Sequence, residues 1–251
     1  MLDRIGRLIA AFLQEPVTDC AGATPFPFDA LLHALRPCDV ILIEGNTRIS
    51  SPIKYLTQST WSHSALYVGQ HRDLRHAIIE ADLEQGVIIA AIEKYKDVHI
   101  RICRPSGLNP RDQARITRFA AERVGNGYDL QNIFDLIRYL VPLPVPRRFR
   151  RRMISLGSGD PTRAICSTLI AQAFQHVGYP ILPRIETHDP RRSRWGNEAE
   201  IMHIRHHSLF VPRDFDLSPF FEIVKPPLRP DFDFHDVEWS SARDGAETAC
   251  P

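Results

Sequence analysis

Five short apolar segments follow one another closely between residues 40 and 102, and they constrain the fold more than any other feature of the chain. The segments are Val40–Ile43, Ser64–Gly69, His76–Ala81, Gly86–Ile92 and Val98–Ile102. They are rich in β-branched residues and are bounded by polar residues, which is typical of strands. Most of the connections are too short for the crossovers that parallel strands need. The sequence therefore predicts an antiparallel sheet.

Helical patterns flank this predicted sheet. The candidates are a short helix at 28–35, a helix or loop at 50–57, and helices at about 110–124 and 128–140. Asn109 and Pro110 suit the cap and first turn of the third candidate, and Gly125 suits its end. A last strand is predicted at 220–224. Strands followed mainly by helices favour an α+β fold in which an antiparallel sheet packs against helices.

One further helix begins near Cys166. Its apolar positions follow one helical face: Leu169, Ile170, Ala173, Phe174 and Val177. Gly178 ends the helix. Cys166 therefore lies near a helix N-terminus, where the positive end of the dipole favours a thiolate. Taken alone, the pattern favours an inert cysteine in the core.

A candidate base and a candidate acid lie on two adjacent predicted strands. His63 stands where a loop enters the second strand, and Glu80 interrupts the apolar third strand. A turn near Arg72–Asp73 would place Ala65 opposite Glu80, so Glu80 would share a face with His63. A carboxylate there could fix the histidine tautomer, which leaves the other ring nitrogen for a thiol.

The composition excludes several classes of protein. The net charge of +1 over 251 residues gives no general attraction to nucleic acid. Five scattered cysteines without a C-x-x-C pair indicate neither a disulfide framework nor a zinc ribbon. A reducing, cytoplasmic location fits this usage. We expect no metal and no cofactor.

The blocks around these residues resemble a known family. They are Arg36–Leu42 with Glu44–Asn46, Trp61–Gly69, Ile79–Ala81, Gly86–Val87 and Ile165–Ser167. Together they are similar to the permuted NlpC/P60 cysteine hydrolases, in particular the YiiX/YebB-like branch. The resemblance implies a circularly permuted papain-like fold with the nucleophile at a helix N-terminus, because here the histidine precedes the cysteine. It covers roughly residues 35–224.

The resemblance also implies a mechanism. Cys166 would be the nucleophile, His63 the general base and Glu80 the third member of the triad, with an amide or (thio)ester cleaved through a thioacyl-enzyme. Backbone N–H groups at the start of the cysteine helix would hold the oxyanion, and Tyr67 would help them. The resemblance does not identify the substrate, which we expect to be a small-molecule, peptide or lipid-like acyl compound.

Two other functions stay open at this point. The same scaffold could serve an acyltransferase or a lipid-acting enzyme, or a binding protein with a vestigial site. Residues 1–15 combine an apolar helical face with arginines, and Arg147–Arg152 form a basic run, so both could contact a membrane surface. The predicted organisation is an N-terminal helical extension (1–34), a catalytic domain (35–227) and a flexible tail (228–251).

Overall fold

The computed structural model describes residues 12, 15, 26–82, 85–126, 165–187, 200–203, 205–226, 233 and 235. The predicted helix at 128–140, the Arg147–Arg152 run and most of both chain ends lie outside these residues. Across the described ranges, no helix combines the length and the hydropathy needed to cross a bilayer.

Within the described residues, eight strands form two antiparallel sheets. They are β1 Val40–Ile43, β2 His63–His71, β3 Leu74–Asp82, β4 Gly86–Ala91, β5 Ile100–Pro105, β6 Arg184–Thr187, β7 Glu200–His203 and β8 Phe221–Val224. The main sheet has the order β4-β3-β2-β1-β5-β8, and every neighbouring pair in it is antiparallel. The predicted antiparallel sheet is confirmed. The β6–β7 ribbon was not predicted.

Helices lie on both faces of the main sheet. They are α1 Phe28–Ala34, α2 Ser50–Thr57, α3 Pro110–Ala121, α4 Ile165–Gln175 and α5 Pro212–Leu217, with 3-10 turns at Ile92–Tyr95 and His207–Leu209. The Asn109 side chain caps α3 by accepting from the Asp112 N–H at 2.9 Å, as its position predicted. Helix α5 was not predicted. The result is a mixed α+β fold that fits the permuted papain-like architecture.

The pairing of β2 with β3 decides which side chains share a face. Leu66 pairs with Ile79 and Tyr67 pairs with Ile78, in the register that the turn near Arg72–Asp73 predicts. The register shifts only beyond Tyr67, around Gly69, whose φ of +79° suits glycine. Because the bulge lies on the turn side of these pairs, Glu80 keeps the predicted face.

Two apolar clusters sandwich the main sheet. On one face, α3 and α4 pack against Leu66 and Ile79, with Phe174 of α4 fully buried. On the other face, Leu31 of α1 packs against Ile41 and Ile78. Helix α4 contacts both β2 and β3. This packing brings the first turn of α4 to the end of the sheet where β2 begins. Helix α1, which falls in the predicted N-terminal extension, is packed on the same sheet.

Candidate active site

Cys166, His63 and Glu80 come together at the end of the main sheet. Cys166 lies in the first turn of α4 and is buried, with its side chain packed against Ala81 of β3. Its thiol and the His63 imidazole hydrogen bond to each other. His63 Nε2 lies 2.7 Å from Glu80 Oε2. Since Nε2 is engaged with Glu80, Nδ1 is the ring nitrogen left for the thiol.

The loop that enters β2 is tied down just before His63. The Ser62 N–H donates to the Ile43 carbonyl at 3.1 Å, and the Ser62 hydroxyl accepts from the Gly45 N–H at 2.9 Å. These bonds fix where β2 starts relative to β1. His63, the first residue of β2, is therefore held at a defined position beside the end of β1.

The electrostatics of the site favour a thiolate beside an imidazolium. Burial alone would raise the pKa of Cys166, but His63 overcomes this and lowers the pKa to about 7. Burial would likewise lower the pKa of His63, yet Cys166 and Glu80 raise it to about 10. Between about pH 7 and pH 10, Cys166 and His63 can therefore share one proton, which lies on the imidazole.

Glu80 has three hydrogen-bond donors although it is almost fully buried. Besides His63, the Tyr95 hydroxyl donates to Oε2 at 2.6 Å and the Lys94 ammonium donates to Oε1. Burial alone would raise the pKa of Glu80, but His63 and Lys94 have a larger opposite effect and lower it to about 2. The carboxylate is therefore ionised at neutral pH and held by both oxygens.

Sequence reasoning missed Lys94 and Tyr95. They belong to the 3-10 turn Ile92–Tyr95 that follows β4, and this turn folds back against β3. A four-residue turn leaves no periodicity that could indicate its direction. The Tyr95 ring lies 6.0 Å from the His63 ring, so the turn also covers the histidine.

The structure does not bring Tyr67, the predicted oxyanion helper, together with Cys166 and His63. Its hydroxyl bonds His76 Nδ1 at 2.9 Å, and its side chain packs in the cluster around Leu31. Tyr67 lies four residues along β2 from His63, which is about 13 Å of strand rise. Strand alternation correctly put both residues on one face, but the site occupies only the strand end.

The other described cysteines have the opposite character. Cys38 and Cys103 are buried in the apolar core. Burial raises the pKa of Cys38 to about 12 and that of Cys103 higher still. Cys166 is thus the one cysteine of the described three whose pKa is lowered.

In the part of the chain that the structure describes, no group of three or more His, Cys, Asp and Glu side chains is arranged to hold a metal ion.

Comparison with known proteins bears on this geometry. The profile of the permuted papain-like amidase enzymes, YaeF/YiiX, C92 family, matches residues 34–138, which include His63 and Glu80. A probable lipoprotein peptidase, YaeF of Escherichia coli strain K12, is 25% identical over 189 residues, which is 68% of this chain. These matches support the relation of this chain to the permuted papain-like cysteine hydrolase family.

The aligned region spans 64% of the length of YaeF. A crystal structure of the metalloprotein yiiX from Escherichia coli O157:H7 is also similar, with a TM-score of 0.47 and 15% identity. That similarity covers 78% of this chain and 99% of the other.

Removing the Tyr95 hydroxyl should raise the pKa of Glu80. A hydrogen bond to a charged group contributes about 1.5–3 kcal/mol, so we expect Tyr95→Phe to raise this pKa from about 2 by about one unit or more. Carboxyl-carbon NMR of Glu80 during an acid titration measures the shift.

The same substitution should change acid stability. Because the folded-state pKa of Glu80 is depressed, the stability it contributes is present above about pH 4.5 and is lost as the pH falls towards 2. In Tyr95→Phe the loss should still begin near pH 4.5, but it should be smaller in total and complete at a higher pH than in wild type. Tyr55→Phe, at an exposed tyrosine of α2, is the control. An identical Glu80 titration in Tyr95→Phe and wild type would contradict the contact.

Proposed function

We propose that this protein is a cysteine hydrolase that cleaves an amide or (thio)ester bond through Cys166, His63 and Glu80. The observation that carries the proposal is the continuous hydrogen-bonded chain from the Cys166 thiol through the His63 ring to a buried, ionised Glu80. A nucleophile needs a base within hydrogen-bonding distance and a group that orients the base. The relation to an amidase family supports acyl chemistry at this nucleophile.

The proposed reaction has two halves. The Cys166 thiolate attacks the substrate carbonyl and forms the S–C bond, while the proton taken from the thiol rests on His63. His63 then gives this proton to the leaving amine, alcohol or thiol as the C–N, C–O or C–S bond breaks. Water, deprotonated by His63, attacks the thioacyl carbonyl and releases the acid and the free thiol.

The first turn of α4 supplies the means to stabilise the oxyanion. The first four N–H groups of a helix lack partners within the helix, and the dipole places partial positive charge there. Cys166 is the second residue of α4, so its own N–H belongs to this group. When the sulfur bonds the substrate carbon, the oxyanion of the tetrahedral intermediate would therefore lie near the Cys166 N–H.

Selective alkylation tests the nucleophile without requiring the substrate. At about pH 7 we expect iodoacetamide to label Cys166 much faster than Cys38 or Cys103, because only Cys166 has a lowered pKa. Peptide-resolved mass spectrometry gives the rate at each cysteine. Cys38 and Cys103 are internal controls in the same molecule. Equal rates at all three sites would refute the proposed nucleophile.

A further inference from the structure

Two serines directly follow the nucleophile and the base in sequence. Ser64 follows His63 on β2, and Ser167 follows Cys166 on α4. Both are completely buried, and their Oγ atoms lie 3.1 Å apart. The mechanism proposed above uses neither of them. A buried hydroxyl pair beside a nucleophile therefore calls for an account of its own.

Ser64 also contacts the reacting sulfur. Its hydroxyl and its backbone N–H both hydrogen bond to Cys166 Sγ. The sulfur lies at the end of the sheet, against Ala81 of β3, where the Ser64 N–H can reach it. The sulfur is thus hydrogen-bonded to the His63 ring and to two groups of Ser64.

The charge on the sulfur decides which way the hydroxyls point. A thiolate can only accept hydrogen bonds, so the Ser64 hydroxyl must donate its single proton to sulfur. The oxygen of Ser64 then has only lone pairs left for Ser167, so the Ser167 hydroxyl must donate to it. With a neutral thiol, Ser64 is free to donate to Ser167 instead.

We propose that Ser167 and Ser64 form a hydrogen-bond relay whose donors point towards the Cys166 thiolate and stabilise it relative to the thiol. Ser64 acts on the reacting atom directly, and Ser167 is a positioning residue that acts through Ser64. The inference rests on the proposed function, because it assigns these serines a role in activating the same nucleophile. Chains of buried hydrogen bonds strengthen one another, which gives Ser167 its influence.

A purely structural role makes a different prediction. If the serine pair only joins α4 to β2, each substitution would loosen the contact between helix and strand, and neither would require a defined change in the Cys166 titration. The relay instead requires that Ser167 act only while Ser64 is present. The two substitutions must then be non-additive in their effect on the thiol.

The test is a double-substitution cycle on the full chain. The rate of Cys166 alkylation by iodoacetamide, measured against pH by peptide-resolved mass spectrometry, gives the pKa of Cys166 in each variant. We expect Ser64→Ala to raise this pKa by about one unit or more. We expect Ser167→Ala to raise it by a few tenths of a unit, and the double variant to match Ser64→Ala alone.

Ser218→Ala is the matched control. Ser218 is also a buried serine, but it lies outside the site and its hydroxyl donates to the Ile181 carbonyl. We expect its Cys166 titration to match wild type. Thermal unfolding of every variant reports on folding. If Ser64→Ala fails to fold, the direction of the Cys166 pKa shift in Ser167→Ala alone decides whether the relay exists. Ser167→Ala is expected to fold because alanine suits a helix interior.

Each outcome bears on a definite statement. If Cys166 of wild type titrates near pH 7, the proposed nucleophile stands. The relay is nevertheless overturned if Ser167→Ala leaves the pKa of Cys166 unchanged or lowers it, or if the shifts of the two single variants add up in the double variant. A wild-type Cys166 that titrates like a free cysteine overturns both. The expected raised, non-additive shifts support the relay.

Discussion

His63→Ala should reduce the rate of acyl-enzyme formation by about 10²–10⁴-fold, the usual contribution of a general acid–base. The variant lacks both the acceptor of the thiol proton and the positive charge beside sulfur. Burial then acts on Cys166 with less opposition, so its pKa should rise from about 7 towards or beyond the ordinary value of 9. Stopped-flow acylation with an activated ester against pH, with intact mass of the acyl-enzyme, measures both effects.

His99→Ala provides the control for this change. His99 is half-buried at the same end of the sheet, where its ring packs at a tilt against Trp61 and bonds Glu44. Its loss creates a comparable local gap without touching the thiol.

The rate of acylation of the wild type should follow a bell-shaped pH profile, rising through about pH 7 as Cys166 ionises and falling through about pH 10 as His63 loses its proton. Equal losses in His63→Ala and His99→Ala would contradict the assignment of the base.

The sequence could predict that His63 and Glu80 share a face, and that Cys166 opens a helix, because both features follow from local rules. Strand alternation and a single tight turn are enough to place Glu80 on the face of His63, and the observed pairs of Leu66 and Tyr67 confirm that register. A helix N-terminus at Cys166 follows from the apolar periodicity of α4. The contact between the first turn of α4 and the beginning of β2 does not follow from such rules, and only the family resemblance indicated it.

The missed features depend on how the chain folds back after a strand ends. Lys94 and Tyr95 reach Glu80 only because a 3-10 turn replaces the end of the predicted fourth strand. Tyr67 shows a different limit of sequence reasoning. Period-two alternation gives the face of a residue but says nothing about its distance along the strand from the reacting atoms.

Glu80→Gln is expected to reduce kcat/KM by about 10³–10⁴-fold, since an amide in place of a triad carboxylate can hold the histidine in the wrong tautomer. Lys94 gives this expectation a structural basis. Its ammonium must face an acceptor, so the glutamine oxygen turns to the site that Oε1 occupies. The amide nitrogen then faces His63 Nε2, whose ring must place its proton on Nδ1, the atom that should accept from Cys166.

Removing Lys94 should therefore recover part of the activity lost in Glu80→Gln. In the double variant Glu80→Gln/Lys94→Met, the amide is free to turn its oxygen towards His63, and we expect kcat/KM to rise about tenfold or more above the single variant. Lys94→Met alone should stay close to wild type at neutral pH, because Glu80 keeps its bonds to His63 and Tyr95. Imidazole nitrogen NMR of His63 reports the tautomer in each protein. If the single and double variants have equal activity and the same tautomer, Lys94 does not orient the third member of the triad.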